Sequence, residues 1–303
     1  MIRRRNLDYV ITDEHNGILL RTYLRSVLNI SAGELTSLKQ KSDGIIVNQN
    51  KVTVRYVLRT DDILSLNRSD TESSDGIVPV EFPLNIIYED DDMIAVNKPP
   101  NMPTHPSHEH QNDTLANALS YYFINKGIPF VFRAVNRLDR DTSGIVLIAK
   151  NKSAAFMLSK EFSSFRVKKK YIAIAEGNTP KSFTVEANMK RQTESKMKRV
   201  ICSDDEGQYS CTEFELISFV NGMSALMVAP KTGRTHQIRL HLAHCGYPII
   251  GDTLYGNEDG SKLINRQALH AYSLTFNRIS DGKKITITAP LPPDMQNITN
   301  IKL

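Results

Sequence analysis

Apolar positions along this 303-residue chain fall into short, separated groups whose spacing changes from helical to strand-like several times. Near the N-terminus, Ile18, Leu19, Tyr23, Leu24 and Leu28 recur at helical intervals. Ser31-Ala32-Gly33-Glu34 has the form of a capping box opening a second helix through Leu35 and Leu38, which Gly44 ends. Ile45-Ile46-Val47 and Val52-Thr53-Val54 flank the polar Asn48-Gln49-Asn50-Lys51 as the arms of a hairpin, and Asp61 to Leu66 supplies a closing strand. A small αβ module over residues 11–68 is predicted, with a polar Ser-, Asp- and Glu-bearing linker over 69–81.

A second domain over 82–303 opens with Asn85-Ile86-Ile87-Tyr88 and Met93 to Lys98, two strands joined by an Asp-rich turn. Lys98-Pro99-Pro100-Asn101-Met102-Pro103 is a stiff loop, because its prolines remove donors and restrict their neighbours. Thr114 to Asn125 and Ala154 to Phe165 have amphipathic helical spacing; Lys169 to Ala175 and Phe214 to Phe219 have strand character. Ile145-Val146-Leu147-Ile148-Ala149 is a continuous apolar, β-branched run, the pattern of a buried strand. The polar stretch before it is therefore a loop feeding straight into a sheet.

Composition narrows the class. With 40% hydrophobic and 23% charged residues, the chain is an ordinary globular protein of about two domains. No run approaches the roughly 20 apolar residues needed to span a bilayer, and the basic Met1-Ile2-Arg3-Arg4-Arg5 has no apolar stretch behind it, so a cytoplasmic protein is expected. Three scattered cysteines, Cys202, Cys211 and Cys245, fit a reducing compartment. The net charge of +5 is modest, but basic residues cluster: Arg166-Val167-Lys168-Lys169-Lys170, and Lys190, Arg191, Lys196, Lys198 and Arg199. Such clusters are either solvated faces or phosphate contacts for nucleic acid.

Three stretches carry candidate chemistry. The loop Asn136-Arg137-Leu138-Asp139-Arg140-Asp141-Thr142-Ser143-Gly144 places Asp139 between two arginines and ahead of three small residues that permit close approach. Taken alone, it is either a salt-bridged turn or a displayed reactive carboxylate. In the second, Tyr171 begins a strand after a basic run, its ring a core group or a surface for a planar ligand. The third is Lys231-Thr232-Gly233-Arg234-Thr235-His236-Gln237-Ile238-Arg239, continuing to Cys245 and Gly246. There Thr235 can cap a helix, Gly246 can be its C′ residue and Pro248 prevents continuation, leaving Arg234 just ahead of the helix. His236, His241, His244 and Cys245, and separately His105, His108 and His110, could also be metal ligands, but they lack the paired spacing and acidic base of a helical zinc hydrolase; no metal is expected.

Together these stretches resemble the signatures of RluA/RluD-type RNA pseudouridine synthases, and residues 11–68 resemble the S-four-type RNA-binding module. The resemblance implies an α+β protein: a small αβ RNA-binding domain, then a catalytic domain with a mixed, mainly antiparallel sheet flanked by helices and loops. It implies that Asp139 is the essential catalytic residue, that Tyr171 packs on the target base, and that Arg234 pairs with Asp139. Arg137, Arg140 and Ile238 complete the substrate contacts, with Arg21, Arg25, Lys39, Lys41, Lys190, Arg191, Lys196 and Lys198 on the RNA. Asn136 stands where the family more often has histidine. Isomerisation of uridine needs no redox partner or group donor, so no cofactor is expected, and the chain has no P-loop, strand-following GxGxxG or CxxC pair. Whether Asp139 adds to base or sugar, or removes a ribose proton, is left open. Large-subunit ribosomal RNA is the first expectation for a partner and transfer RNA the second; a silent RNA-binding ribosome-assembly protein is the alternative outside catalysis. Oligomeric state is open, with a monomer the simplest expectation.

Overall fold

A computed structural model describes residues 6–299 except 29, 31, 69–72, 75, 194, 196, 204–205 and 258–262. Lys196 and the capping serine Ser31 therefore lie outside the described residues.

The elements run β1 (Asn6–Val10), α1 (Leu20–Thr22) continuing into a π-turn at Tyr23–Val27, α2 (Ala32–Gln40), β2 (Ile45–Val47), β3 (Asn50–Lys51) and β4 (Ile63–Asn67). Then come β5 (Ile86–Glu89), β6 (Met93–Lys98), α3 (Leu115–Asn125), β7 (Ser143–Ala149), α4 (Lys152–Ser163), β8 (Lys168–Glu176), β9 (Ser182–Arg191) and β10 (Arg199–Cys202). The chain closes with β11 (Gln208–Val220), β12 (Met223–Pro230), α5 (Gln237–His244), β13 (Leu269–Asn277), β14 (Lys284–Thr288) and α6 (Pro293–Thr299). The protein is α+β, with a small sheet ordered β1-β4-β2-β3 and a ten-stranded sheet in which β10-β9-β11-β12-β8-β13-β7-β6-β5 form a path and β14 pairs with β13.

The small sheet starts earlier than the apolar spacing predicts. β1 lies antiparallel to β4, Asn6 opposite Asn67 and Val10 opposite Ile63, a non-local pairing that no sequence window reports. The β2–β3 hairpin turns at Asn48 and Gln49, both at positive φ (49° and 68°), so the turn takes two residues and Val52 to Val54 is not a strand. The described part of residues 69–81 lies against the second sheet's layer: the Ser73 and Ser74 hydroxyls accept the N–H groups of Phe130 and Phe132, and Ile77 packs beside them.

The larger sheet is covered on both faces where β6 and β7 run. Ile94, Val96, Val146 and Ile148 pack under α3, while Met93, Ala95, Ile145 and Leu147 face α4 with Phe276 and Ile287. Two covered faces explain why β7 is apolar without alternation. A third apolar cluster forms around Ile172, Ile174, Leu226, Val228, Ile238 and Leu242, bringing α5 against β8 and β12. Tyr171 packs against both this cluster and the one under α3, so its ring marks their junction. Caps are local: Thr114 and Asn117 form a capping box on α3, and the Asn151 side chain accepts the Ala154 N–H at the start of α4.

Candidate active site

The loop before β7 is held on three sides. The Asp139 carbonyl accepts the Thr142 N–H at 3.1 Å, closing a tight turn. Thr104 Oγ1 donates to the Leu138 carbonyl at 3.2 Å. Lys98, fully buried, donates through Nζ to the carbonyls of Pro99, Met102 and Arg140 at 2.8, 2.8 and 2.9 Å. Burial, opposed by the charge of Asp141, pushes the Lys98 pKa down to about 7. From the other side Arg266 donates to the Asp141 carbonyl at 3.2 Å and Gln267 to Thr142 Oγ1 at 3.1 Å.

The small residues after Asp139 serve the backbone. Gly144 has φ +109°, and a Cβ there would sit 2.3 Å from the Ala271 carbonyl oxygen. That close approach is the parallel pairing of β7 with β13, Ser143 opposite His270 and Gly144 opposite Ala271. Asn136 is occupied likewise: its amide donates to the Ile145 carbonyl at 3.0 Å and accepts the Leu147 N–H at 2.8 Å, pinning the loop to β7.

The Asp139 carboxylate meets Arg239, not Arg234, and this corrects the pairing implied by the resemblance. Arg239 Nη1 donates to Asp139 Oδ2 at 2.9 Å, while its Nε and Nη2 grip Asp252 at 2.6 and 2.8 Å. Arg234 is exposed at the same cleft and donates to the Tyr209 carbonyl at 3.2 Å. Thr235 is exposed as well and does not cap α5. The N-cap position falls to His236 at φ +59°, without a side-chain cap. Gln237 organises the approach instead: its Oε1 accepts from the Thr232 hydroxyl and the Arg234 N–H, and its Nε2 donates to the Cys211 carbonyl and Thr212 Oγ1.

Burial works against the Arg239 charge, but hydrogen bonds and charges from Asp252 and then Asp139 outweigh it and raise its pKa. Burial likewise favours the neutral form of Asp252, yet the Arg239 hydrogen bond and charge and the Leu254 and Tyr255 N–H groups lower its pKa. The three groups carry one net negative charge. Its open end is Asp139, whose side chain is 28% exposed while that of Asp252 is 0% exposed. His236 Nε2 stands 3.7 Å from Asp139 Oδ2, and its Nδ1 lies 3.1 Å from the Tyr255 hydroxyl. Burial lowers the His236 pKa despite the Asp139 charge, so the imidazole is neutral at neutral pH. Burial, and secondarily the Asp139 charge, pushes the Tyr171 hydroxyl up to about 12, so it stays a phenol.

Asp139, Tyr171, Arg137, Arg234 and Ile238 thus line one cleft, together with Lys169, His236 and Arg239. Arg140 is elsewhere: it pairs with Asp141 at 3.1 Å and faces a neighbouring groove. Nothing in the spacing of the third stretch distinguishes Arg239 from Arg234 as the partner of Asp139, and Asp252 lies beyond that stretch; the Leu254-Tyr255 turn closing on Asp252 is the local signal that marks it. His241 is buried against Ser210, His244 is exposed, and among the described residues no three His, Cys, Asp or Glu side chains are grouped to hold a metal.

Residues 92–244 match the family RNA pseudouridylate synthase. The chain belongs to this family. It is 35% identical over 272 residues to the uncharacterized RNA pseudouridine synthase YjbO of Bacillus subtilis, covering 89% of this chain and 95% of that one. It is 37% identical over 227 residues to the ribosomal large subunit pseudouridine synthase D of Borreliella burgdorferi, covering 73% and 69%. Human RNA pseudouridylate synthase domain containing 1 superposes with a TM-score of 0.59 at 27% identity, over 70% of this chain and 86% of that one. This pseudouridine synthase is therefore an isomerase that acts on RNA.

The basic candidates are spread over two surfaces. Arg21, Arg25 and Lys39 are exposed on α1, the π-turn and α2, Arg25 donating to the Ile30 carbonyl at 2.6 Å; Lys41 donates to the Asn67 carbonyl at 2.9 Å. Lys190 and Arg191 end β9, Lys190 paired with Glu206. Lys198 stands 5.8 Å over the Tyr255 ring, whose hydroxyl accepts the Arg199 N–H at 2.7 Å, so the β9–β10 hairpin reaches the rim of the cleft. Among the described residues no helix is long and apolar enough to cross a membrane.

Proposed function

We propose that this pseudouridine synthase isomerises uridines in large-subunit ribosomal RNA, with Asp139 as its catalytic residue. The carrying observation is one carboxylate, held by a buried arginine, opening into a cleft beside the Tyr171 ring. Breaking the bond from ribose to uracil N1 leaves positive charge on the sugar and negative charge on the base, so a fixed anion next to the ribose lowers the barrier. The Arg239 hydrogen bond and the His236 approach both fall on Oδ2, leaving Oδ1 for the nucleotide. Tyr171 offers an apolar ring to an extruded pyrimidine, which duplex RNA must release before its base can be turned. The released base reattaches through C5, which gives up its proton.

The ribosomal target is supported by relatives named ribosomal large subunit pseudouridine synthase D in four organisms. The exposed Arg21, Arg25 and Lys39 on the small αβ unit, which resembles the S-four type, and Lys198 at the cleft rim give RNA a basic track. The test is tritium release from 5-tritiated uridine RNA by the protein and by Asp139→Asn, with pseudouridines mapped in cells with and without the gene. Expected are loss of turnover in Asp139→Asn with RNA affinity kept, and large-subunit positions that disappear with the gene. Turnover retained by Asp139→Asn refutes the residue's role; positions lost only from transfer RNA refute the target.

A further inference from the structure

Lys169 precedes Tyr171 by two positions on β8, so strand alternation places both side chains on one face, and both line the cleft with Asp139. Its ammonium donates to the Thr232 carbonyl at 2.8 Å, anchoring it against the loop that carries Gly233 and Arg234. Among the described residues no carboxylate lies within ion-pair distance of it, and a carbonyl engages one of its three donors. Arg239 in the same cleft is divided between two carboxylates and Arg234 is turned to the Tyr209 carbonyl.

A cation with unengaged donors beside the ring that receives the base suits one chemical event. When the glycosidic bond breaks, its electron pair leaves with the uracil, and the resulting anion is shared with the base carbonyl oxygens. We propose that Lys169 binds the detached uracil, its ammonium hydrogen-bonding a base carbonyl oxygen to stabilise the anion and retain it in the cleft while C5 is brought to the sugar. No proton is transferred by this contact. The proposal rests on the roles given above to Asp139 and Tyr171. Burial lowers the Lys169 pKa to about 8; the charged or titratable groups around it in the cleft are Tyr171 on its own strand, Arg137 and Asp139 from the loop before β7, Arg234 from the loop after β12, and His236 and Arg239 at α5.

The test compares the full chain with Lys169→Met, Lys169→Arg and Asp139→Asn on one 5-tritiated large-subunit RNA transcript, reading single-turnover tritium release, RNA Kd and melting temperature. Lys169→Met is expected to slow release by roughly 10- to 150-fold, the scale of one lost charge-assisted hydrogen bond, with Kd within about threefold. Lys169→Arg is expected to recover most of the rate, and to keep it at alkaline pH where the parent declines as Lys169 loses its proton near pH 8. Three results overturn the proposal: an unchanged rate in Lys169→Met; a rise in Kd with a shallower salt dependence that accounts for the whole loss, the mark of a phosphate contact; or a folded Lys169→Arg as slow as Lys169→Met. Turnover in Asp139→Asn would instead overturn the underlying site, whereas an inactive Asp139→Asn beside a normal Lys169→Met removes the lysine's role alone.

Discussion

Replacing Arg239 separates the observed carboxylate network from the pairing that the resemblance implies. In Arg239→Lys a single ammonium replaces a fork that donates to Asp139 at 2.9 Å and to Asp252 at 2.6 and 2.8 Å. The fully buried Asp252 has the stronger claim on it, so Asp139 loses its partner. A charge-assisted hydrogen bond contributes roughly 1.5–3 kcal/mol, and at about 1.4 kcal/mol per factor of ten this predicts a fall in kcat/KM of roughly 10- to 150-fold. Arg239→Ala adds a folding cost, because Asp252 keeps only the Leu254 and Tyr255 N–H groups. Breaking a buried pair costs about 3–5 kcal/mol, and at roughly 2–4 °C per kcal/mol this lowers Tm by about 6–20 °C. The pH dependence has a definite sign. Asp252 is lowered in the folded parent, so its contribution is full above the unfolded carboxylate range and fades as pH falls through about 4 and below. The gap in Tm between parent and Arg239→Ala should therefore narrow on acidification. Tritium release and thermal melts of Arg239→Lys, Arg239→Ala and Arg234→Ala decide the matter. If Arg234→Ala loses the single-turnover rate while Arg239→Lys keeps it, the network described here does not hold Asp139 during turnover.

Two further outcomes follow from the loop that carries Asp139. Gly144→Ala pushes a methyl against the Ala271 backbone at an unfavourable φ of +109°, and should lower stability by roughly 2–4 kcal/mol in denaturant titration; an unaltered midpoint would contradict the close pairing of β7 and β13. For Lys98 the folded pKa of about 7 lies below the unfolded value of about 10.4. Between those values the unfolded chain binds more protons, so stability rises with pH by up to about 1.4 kcal/mol per unit, a slope that Lys98→Met should lack. Parallel stability curves for the two proteins from pH 7 to 9 would refute the lowering of the Lys98 pKa by burial.

Much of this protein is written locally. The run Ile145 to Ala149 declared a buried strand, the helical spacing from Thr114 to Asn125 declared α3, and the loop ending at Gly144 announced the site of Asp139. Those signals lie within a few residues of what they specify, because strand alternation, capping and steric exclusion are short-range. The partners of Asp139 are not. Whether Arg234 or Arg239 reaches the carboxylate depends on the left-handed turn at His236 and on α5 docking against Ile172 and Val228, contacts that join segments far apart in the chain. The same holds for Lys98 under the Arg140 carbonyl and for β1 beside β4. Sequence thus determined which residues could carry the chemistry and which backbone would display them. Only the packed structure decided which charge meets which, since a side chain's partner is set by the burial of distant apolar faces and not by its neighbours in the chain.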